Sequence, residues 1–207
     1  MIQVNRIYLI FNRLVTKKFL VDTSERLNKM KKVGFLIFCL FAMCSMAGKA
    51  QDVVADSTGY IVKVGEMAPD FTVKLTDGKS ITLSGLRGKV VMLQFTASWC
   101  GVCRKEMPFI EKDIWLKHKS NPDFMLIGID RDEPLEKVIA FGKSTGVTYP
   151  LGLDPGADIF AKYALRKAGI TRNVLIDKEG RIVKLTRLYN PEEFASLVKE
   201  IDGMLSE

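Results

Sequence analysis

The stretch KVVMLQFTASWCGVCRKEMP, residues 89–108, decides how this chain folds. Its first half is a near-continuous apolar run, the mark of a β-strand buried on both faces. Two cysteines separated by two residues follow at once. Beyond them Met107, Ile110 and Ile114 recur at i, i+3 and i+7, the spacing of one helix face. The Cys100–Cys103 pair therefore stands at a strand-to-helix junction, with Cys100 near the helix N-terminus. Such a pair can be a metal clip, a structural disulfide or a redox couple.

Where the chain is sent helps to separate these readings. Of the four cysteines, Cys39 and Cys44 lie in MKKVGFLIFCLFAMCSMAGKAQD, which starts at Met30. Lys31 and Lys32 supply a positive start, Val33 to Ala47 an uncharged apolar run, and Gly48-Lys49-Ala50 a small-residue cleavage site. This pattern predicts a secretory signal peptide over residues 30–50, because about 15 apolar residues fall short of the roughly 20 that span a bilayer. The bulky Met43 before Cys44 argues against lipoprotein anchoring. Residues 1–29 read as an upstream extension or a mis-assigned start, with translation beginning at Met30. Residues 51–61 read as a linker and 62–207 as the folded domain. The expected location is the periplasm or cell envelope.

Cleavage would leave Cys100, Cys103 and one histidine, His118. Structural zinc takes four ligands, commonly from two close pairs, and a second pair is missing. A disulfide closing so short a loop removes little chain entropy. A redox pair is the better reading. Charge narrows the partners. Residues 1–50 carry nine Lys/Arg and two Asp/Glu, a surplus of seven that equals the net charge of the whole chain. The domain beyond is neutral, so the electrostatic footprint of nucleic-acid binding is absent.

The rest of the chain alternates strands and helices. Residues 71–75 and 80–83 flank Asp77-Gly78, a strong hairpin signal. FMLIGID (124–130) is a second buried strand, and Asp132 with Pro134 is expected to cap a helix bearing Leu135, Val138 and Ile139 on one face. A short extended piece at 149–151 precedes a helical stretch from Asp158 to Tyr163. NVLID (173–177) and RIVKLT (181–186) flank Lys178-Glu179-Gly180 as a second hairpin. Asn190-Pro191-Glu192-Glu193 then caps a closing helix striped by Phe194, Leu197, Val198, Ile201 and Leu205. The order predicts an α/β fold: a central mixed sheet with helices on both faces, an N-terminal hairpin and a strand-helix insertion.

With Trp99-Cys100-Gly101-Val102-Cys103 on that scaffold, the chain resembles the thioredoxin superfamily, and more narrowly its TlpA/ResA-like exported thiol-disulfide oxidoreductases. The resemblance covers about residues 62–205 and rests on GEMAPDFTVKLTDGKSITLSGLRGKVVMLQFTASWCGVC and VLIDKEGRIV. It implies a thioredoxin-like fold, no cofactor, protein disulfide or thiol substrates, and a membrane electron donor, for example in cytochrome maturation. Two positions depart from the family pattern. Thr171 stands where a cis-proline usually faces the CxxC; cis geometry before a non-proline costs about 2.5–4 kcal/mol, so the Ile170–Thr171 bond is expected trans. Gln94 stands where thioredoxins keep a buried aspartate that takes the second cysteine's proton. An amide cannot, so water or another group must serve.

The chemistry follows from the junction. Thiolate is the attacking form, and unpaired N–H groups at a helix N-terminus favour it, so Cys100 is the expected nucleophile. Cys103, one turn further in, is the expected resolving residue. Gly101, Val102, Ile170 and Thr171 are candidate substrate-binding or supporting positions. Trp99 either shields the pair and offers substrate an apolar contact, or simply packs. Arg104 and Lys105 read as solvated first-turn side chains, Arg172 as a surface residue, and His118 as an ordinary partly exposed one. Two other function classes remain. Peroxiredoxins share the scaffold but resemble Pro-x-x-x-Thr-x-x-Cys around their cysteine, where this chain has Ala97 and no proline. A non-catalytic binding module would make the cysteines incidental.

Overall fold

The computed structural model describes residues 57–206; the expected extension at 1–29, the expected signal peptide at 30–50 and the first residues of the expected linker, 51–56, lie outside them. Seven strands form one sheet: β1 (Thr72–Leu75), β2 (Ser80–Thr82), β3 (Val90–Thr96), β4 (Phe124–Arg131), β5 (Leu151–Asp154), β6 (Arg172–Ile176) and β7 (Ile182–Arg187). Their order across the sheet is β2-β1-β5-β4-β3-β6-β7. β3, β4 and β5 run parallel at the centre, and the other pairings are antiparallel. The three longest α-helices among the described residues are α1 (Gly101–Ile110), α2 (Leu135–Thr145) and α3 (Pro191–Leu205).

The sequence pattern explains this arrangement. Every residue of β3 is buried, as its unbroken apolar run requires of a central strand. Its side chains alternate between two cores. Val90 and Met92 join Met107, Ile110, Val138, Phe141, Phe194, Leu197 and Ile201 beneath the three α-helices. Val91, Leu93 and Phe95 join a second core on the opposite face. That face is covered by 3-10 turns at Leu83–Leu86, Pro155–Ala157 and Phe160–Lys162, and by the chain entering at Tyr60. Each such apolar side chain contributes about 1.5–3 kcal/mol by leaving water. Both hairpins form where Asp77-Gly78 and Glu179-Gly180 allow them, with Gly78 and Gly180 at positive φ. The Asn190 side chain accepts from the N–H groups of Glu192 and Glu193 and starts α3.

Four local expectations need correction. Asp132 caps no helix: α2 begins after Pro134 without a side-chain cap. Asp132 instead sits at φ 61° and accepts from the N–H of Gly156, tying the end of β4 to the turn after β5. The buried face of α2 is Val138, Phe141 and Gly142, while Leu135 is exposed. The helical stretch at 158–163 is only a 3-10 turn, because buried Asp154 captures the N–H groups of Ile159 and Phe160. Tyr60, inside the expected linker, is core: its hydroxyl donates to the carbonyls of Asn173 and Thr186. No cis peptide occurs among the described residues, so the Ile170–Thr171 bond is trans as expected.

Candidate active site

β3 ends at Thr96, and the chain turns through Ala97-Ser98-Trp99 into α1, placing Cys100 at the N-cap of that helix. Its sulfur accepts the backbone N–H of Cys103 at 3.2 Å. This is the anion-favouring position expected from the sequence, now with a defined donor. The two cysteines form a disulfide, with Cα atoms 5.3 Å apart. Cys100 keeps a sliver of exposed surface and Cys103 has none, at 7% and 0%. The sulfur-bearing residue nearer the surface is Cys100.

Thr171 comes to the same place from the neighbouring strand: it immediately precedes β6, whose Arg172 pairs with Phe95 at the end of β3. Its hydroxyl lies 3.1 Å from the sulfur of Cys100 and 3.3 Å from that of Cys103. Ile170 beside it is buried, Gly101 is open to solvent and Val102 half-buried. Trp99 does not pack into the core: it is 58% exposed, with the Arg131 guanidinium 5.3 Å over its ring. It stands as an apolar wall at the mouth of the site.

Glu106 on α1 meets Asn173 and Gln94 of the strands beneath it, and the sequence pattern had not singled Glu106 out. Glu106 follows Cys103 by three residues, on the buried helix face, and is 2% exposed. Asn173 donates to its Oε1 at 2.7 Å and also to Thr186. Asn173 and Gln94 are direct neighbours across β6 and β3, so both amides sit below the carboxyl. Burial pushes the Glu106 carboxyl up to about 7, although the Asn173 and Gln94 amides oppose it. Gln94 in turn accepts from the Tyr149 hydroxyl at 2.6 Å. The spacing Cys103, Glu106, Met107, Ile110 was the available signal: an acid sharing the apolar stripe of its helix.

A second acidic pair closes the end of β4. Asp130 is fully buried, with neither carboxyl oxygen hydrogen-bonded. Burial, then the neighbouring Glu133 carboxylate, push it up to about 8. Burial would raise Glu133 too, but hydrogen bonds from Lys137 and Ser98 outweigh it and hold that carboxyl below its ordinary range. Ser98 donates through its hydroxyl to Glu133 at 2.7 Å, which fixes the turn leading into Cys100.

Three expected bystanders resolve differently. Arg172 is no surface residue: it is fully buried, donates to the carbonyls of Gly169 and Thr58, and lies 4.3 Å over the Tyr60 ring. The cause is Tyr60 itself, which brings an aromatic face and a polar main chain over β6. Arg104 is exposed as expected and donates to the Ser98 carbonyl. His118 is partly exposed and pairs with Asp202 on α3, away from the cysteines.

The family model described as Redoxin matches residues 63–205. The chain belongs to the redoxin family. Among curated relatives, this redoxin is 32% identical over 158 residues to a thiol-disulfide oxidoreductase ResA of Bacillus cereus, covering 75% of this chain and 88% of that protein. It is 34% identical over 124 residues to ResA of Bacillus subtilis, covering 60% and 67%. Among solved structures, a candidate protein disulfide isomerase from Bacteroides thetaiotaomicron is 85% identical with a TM-score of 0.71, covering 73% of this chain and 96% of that one. A candidate thiol:disulfide interchange protein DsbE from Chlorobium tepidum is 26% identical with a TM-score of 0.62, covering 70% and 99%. This redoxin is thus a ResA-like thiol-disulfide oxidoreductase of the thioredoxin superfamily.

Proposed function

We propose that this redoxin is an exported disulfide reductase of the cell envelope, acting on protein substrates and recharged by a membrane electron donor. One observation carries the proposed roles: an N-cap sulfur at the surface, a second sulfur buried behind it, and a carboxyl poised near neutrality one turn below. In the reduced enzyme the Cys100 thiolate attacks a substrate disulfide. A Cys100–substrate bond forms, the substrate S–S bond breaks, and the first substrate sulfur leaves as a thiolate. Cys103 then gives its proton to the Glu106 carboxylate and attacks the Cys100 sulfur. The second substrate sulfur leaves, two electrons have passed to the substrate, and the enzyme holds the Cys100–Cys103 disulfide. Glu106 supplies the proton acceptor that Gln94 cannot be. A carboxyl at about 7 is matched to that task at physiological pH.

The reductase direction follows what the TlpA/ResA-like resemblance implies, the thiol-disulfide chemistry accords with the ResA likeness, and export accords with the signal-peptide pattern at residues 30–50. Redox titration of the purified domain against glutathione tests it. A potential near about −250 mV or below supports a reductase, and one near about −120 mV overturns that direction in favour of an oxidase.

A further inference from the structure

Among the described residues, Thr171 brings its hydroxyl within hydrogen-bond distance of both reacting sulfurs, and threonine is not what the family pattern places there. Thr171 is 3% exposed, and its hydroxyl oxygen lies almost equally far from the two sulfurs, 3.1 and 3.3 Å. The position is held from both sides. The Thr171 carbonyl accepts from the N–H of Leu188 at the end of β7. The next residue, Arg172, opens β6 with its guanidinium locked against Gly169, Thr58 and the Tyr60 ring. The Thr171 heavy atoms are therefore fixed, while the hydroxyl hydrogen is free to rotate about the Cβ–Oγ bond.

We propose that Thr171 is a further catalytic residue, whose hydroxyl donates a hydrogen bond to whichever of the two sulfurs carries negative charge. This rests on the thiol-disulfide reading above. In the reduced enzyme the hydroxyl and the Cys103 N–H together form a two-donor cradle for the Cys100 thiolate. When Cys103 loses its proton in the mixed disulfide, the Thr171 hydroxyl turns to it and stabilises the second thiolate. No proton leaves the threonine and no bond to it forms, so the electron balance of the exchange is unchanged. Preorganised donors aimed at developing charge in a dry site are the strongest form of such stabilisation. A proline at this position, as the family pattern has, offers no donor at all.

The test replaces the hydroxyl without emptying the site. Thr171→Val keeps the shape and removes the donor, Thr171→Ala removes it with less bulk, and Thr171→Ser keeps it. The charged groups around the pair, Arg104, Glu106, Asp130, Arg131, Glu133 and Arg172, are the same in all three variants. Thiolate absorbance of the reduced protein against pH reads the Cys100 ionisation. The expected result is a rise of about one pH unit in Thr171→Val and Thr171→Ala, with Thr171→Ser close to wild type. Glutathione titration at neutral pH should move the equilibrium constant about tenfold toward the disulfide, a fall of about 30 mV for two electrons. A Cys100 that ionises at the wild-type pH in both Val and Ala variants overturns the proposal, as does a Ser variant shifted as far as Val. The same titration separates the two readings. If wild type fails to exchange with glutathione, the enzyme reading falls; if wild type exchanges and the variants match it, only the role of Thr171 falls.

Discussion

Replacing Glu106 by glutamine should make the protein more stable and a poorer catalyst at once. The buried carboxyl holds its proton up to about 7, whereas in the unfolded chain it ionises at its ordinary 4.5. Below pH 4.5 both states are protonated and this group's contribution is intact. As pH rises the unfolded chain ionises first, so stability falls across the window and is lost once pH passes the folded value. The gap of two to three pH units corresponds to about 3 kcal/mol at pH 8, read as an order of magnitude. Glutamine keeps the shape and still accepts from Asn173, but carries no charge to bury. Urea unfolding of the oxidised domain at steps from pH 4 to 8 should therefore show wild type losing about 3 kcal/mol relative to Glu106→Gln as the pH rises. Asp130, also pushed up, titrates in both proteins and cancels from the difference. The same variant should resolve a mixed disulfide on the order of a hundredfold more slowly, since it cannot accept the Cys103 proton. Stability curves that run parallel from pH 4 to 8 would refute the reasoning, because they would mean that Glu106 is not held neutral by burial.

Other perturbations probe the scaffold that holds this acid. Tyr149→Phe removes the donor to the Gln94 amide and strands a buried acceptor, at a cost of about 1–3 kcal/mol in urea unfolding at neutral pH. Gly128→Ala should cost about 1–3 kcal/mol by overpacking, because a β-carbon there would stand 2.6 Å from Leu151 and 3.1 Å from the Tyr149 ring. Arg172→Met should cost roughly 2–4 kcal/mol through lost hydrogen bonds to Gly169 and Thr58 and lost stacking on Tyr60, with faster amide exchange at Ile61 as a local signature.

The central strand, both hairpins and the cysteine junction were legible because each depends on local chemistry. An unbroken apolar run, Asp-Gly and Glu-Gly turns, and a CxxC before an apolar helix stripe need no distant partner to be read. Glu106 was not legible in the same way. A glutamate two residues after an arginine in the first helical turn looks solvated until Asn173, 67 residues away, arrives beneath it. Arg172 failed as a surface reading for the same reason: Tyr60, more than a hundred residues earlier, covers it. Asp132 looked like an N-cap, but Gly156 competes for its carboxylate and the chain takes a left-handed turn there instead. Gln94 leaves the proton acceptor open in the sequence, and the fold supplies an acid from the facing helix rather than from the strand. Long-range polar pairing, not propensity, decided each of these.

The direct test of the account is the order in which the two thiols react. Reduced protein, pulsed with iodoacetamide at pH 6 and digested for mass spectrometry, should carry the label on Cys100 while Cys103 stays unmodified. Labelling of Cys103 first, or of neither thiol until the pH exceeds about 8, the range of an ordinary cysteine, would contradict it.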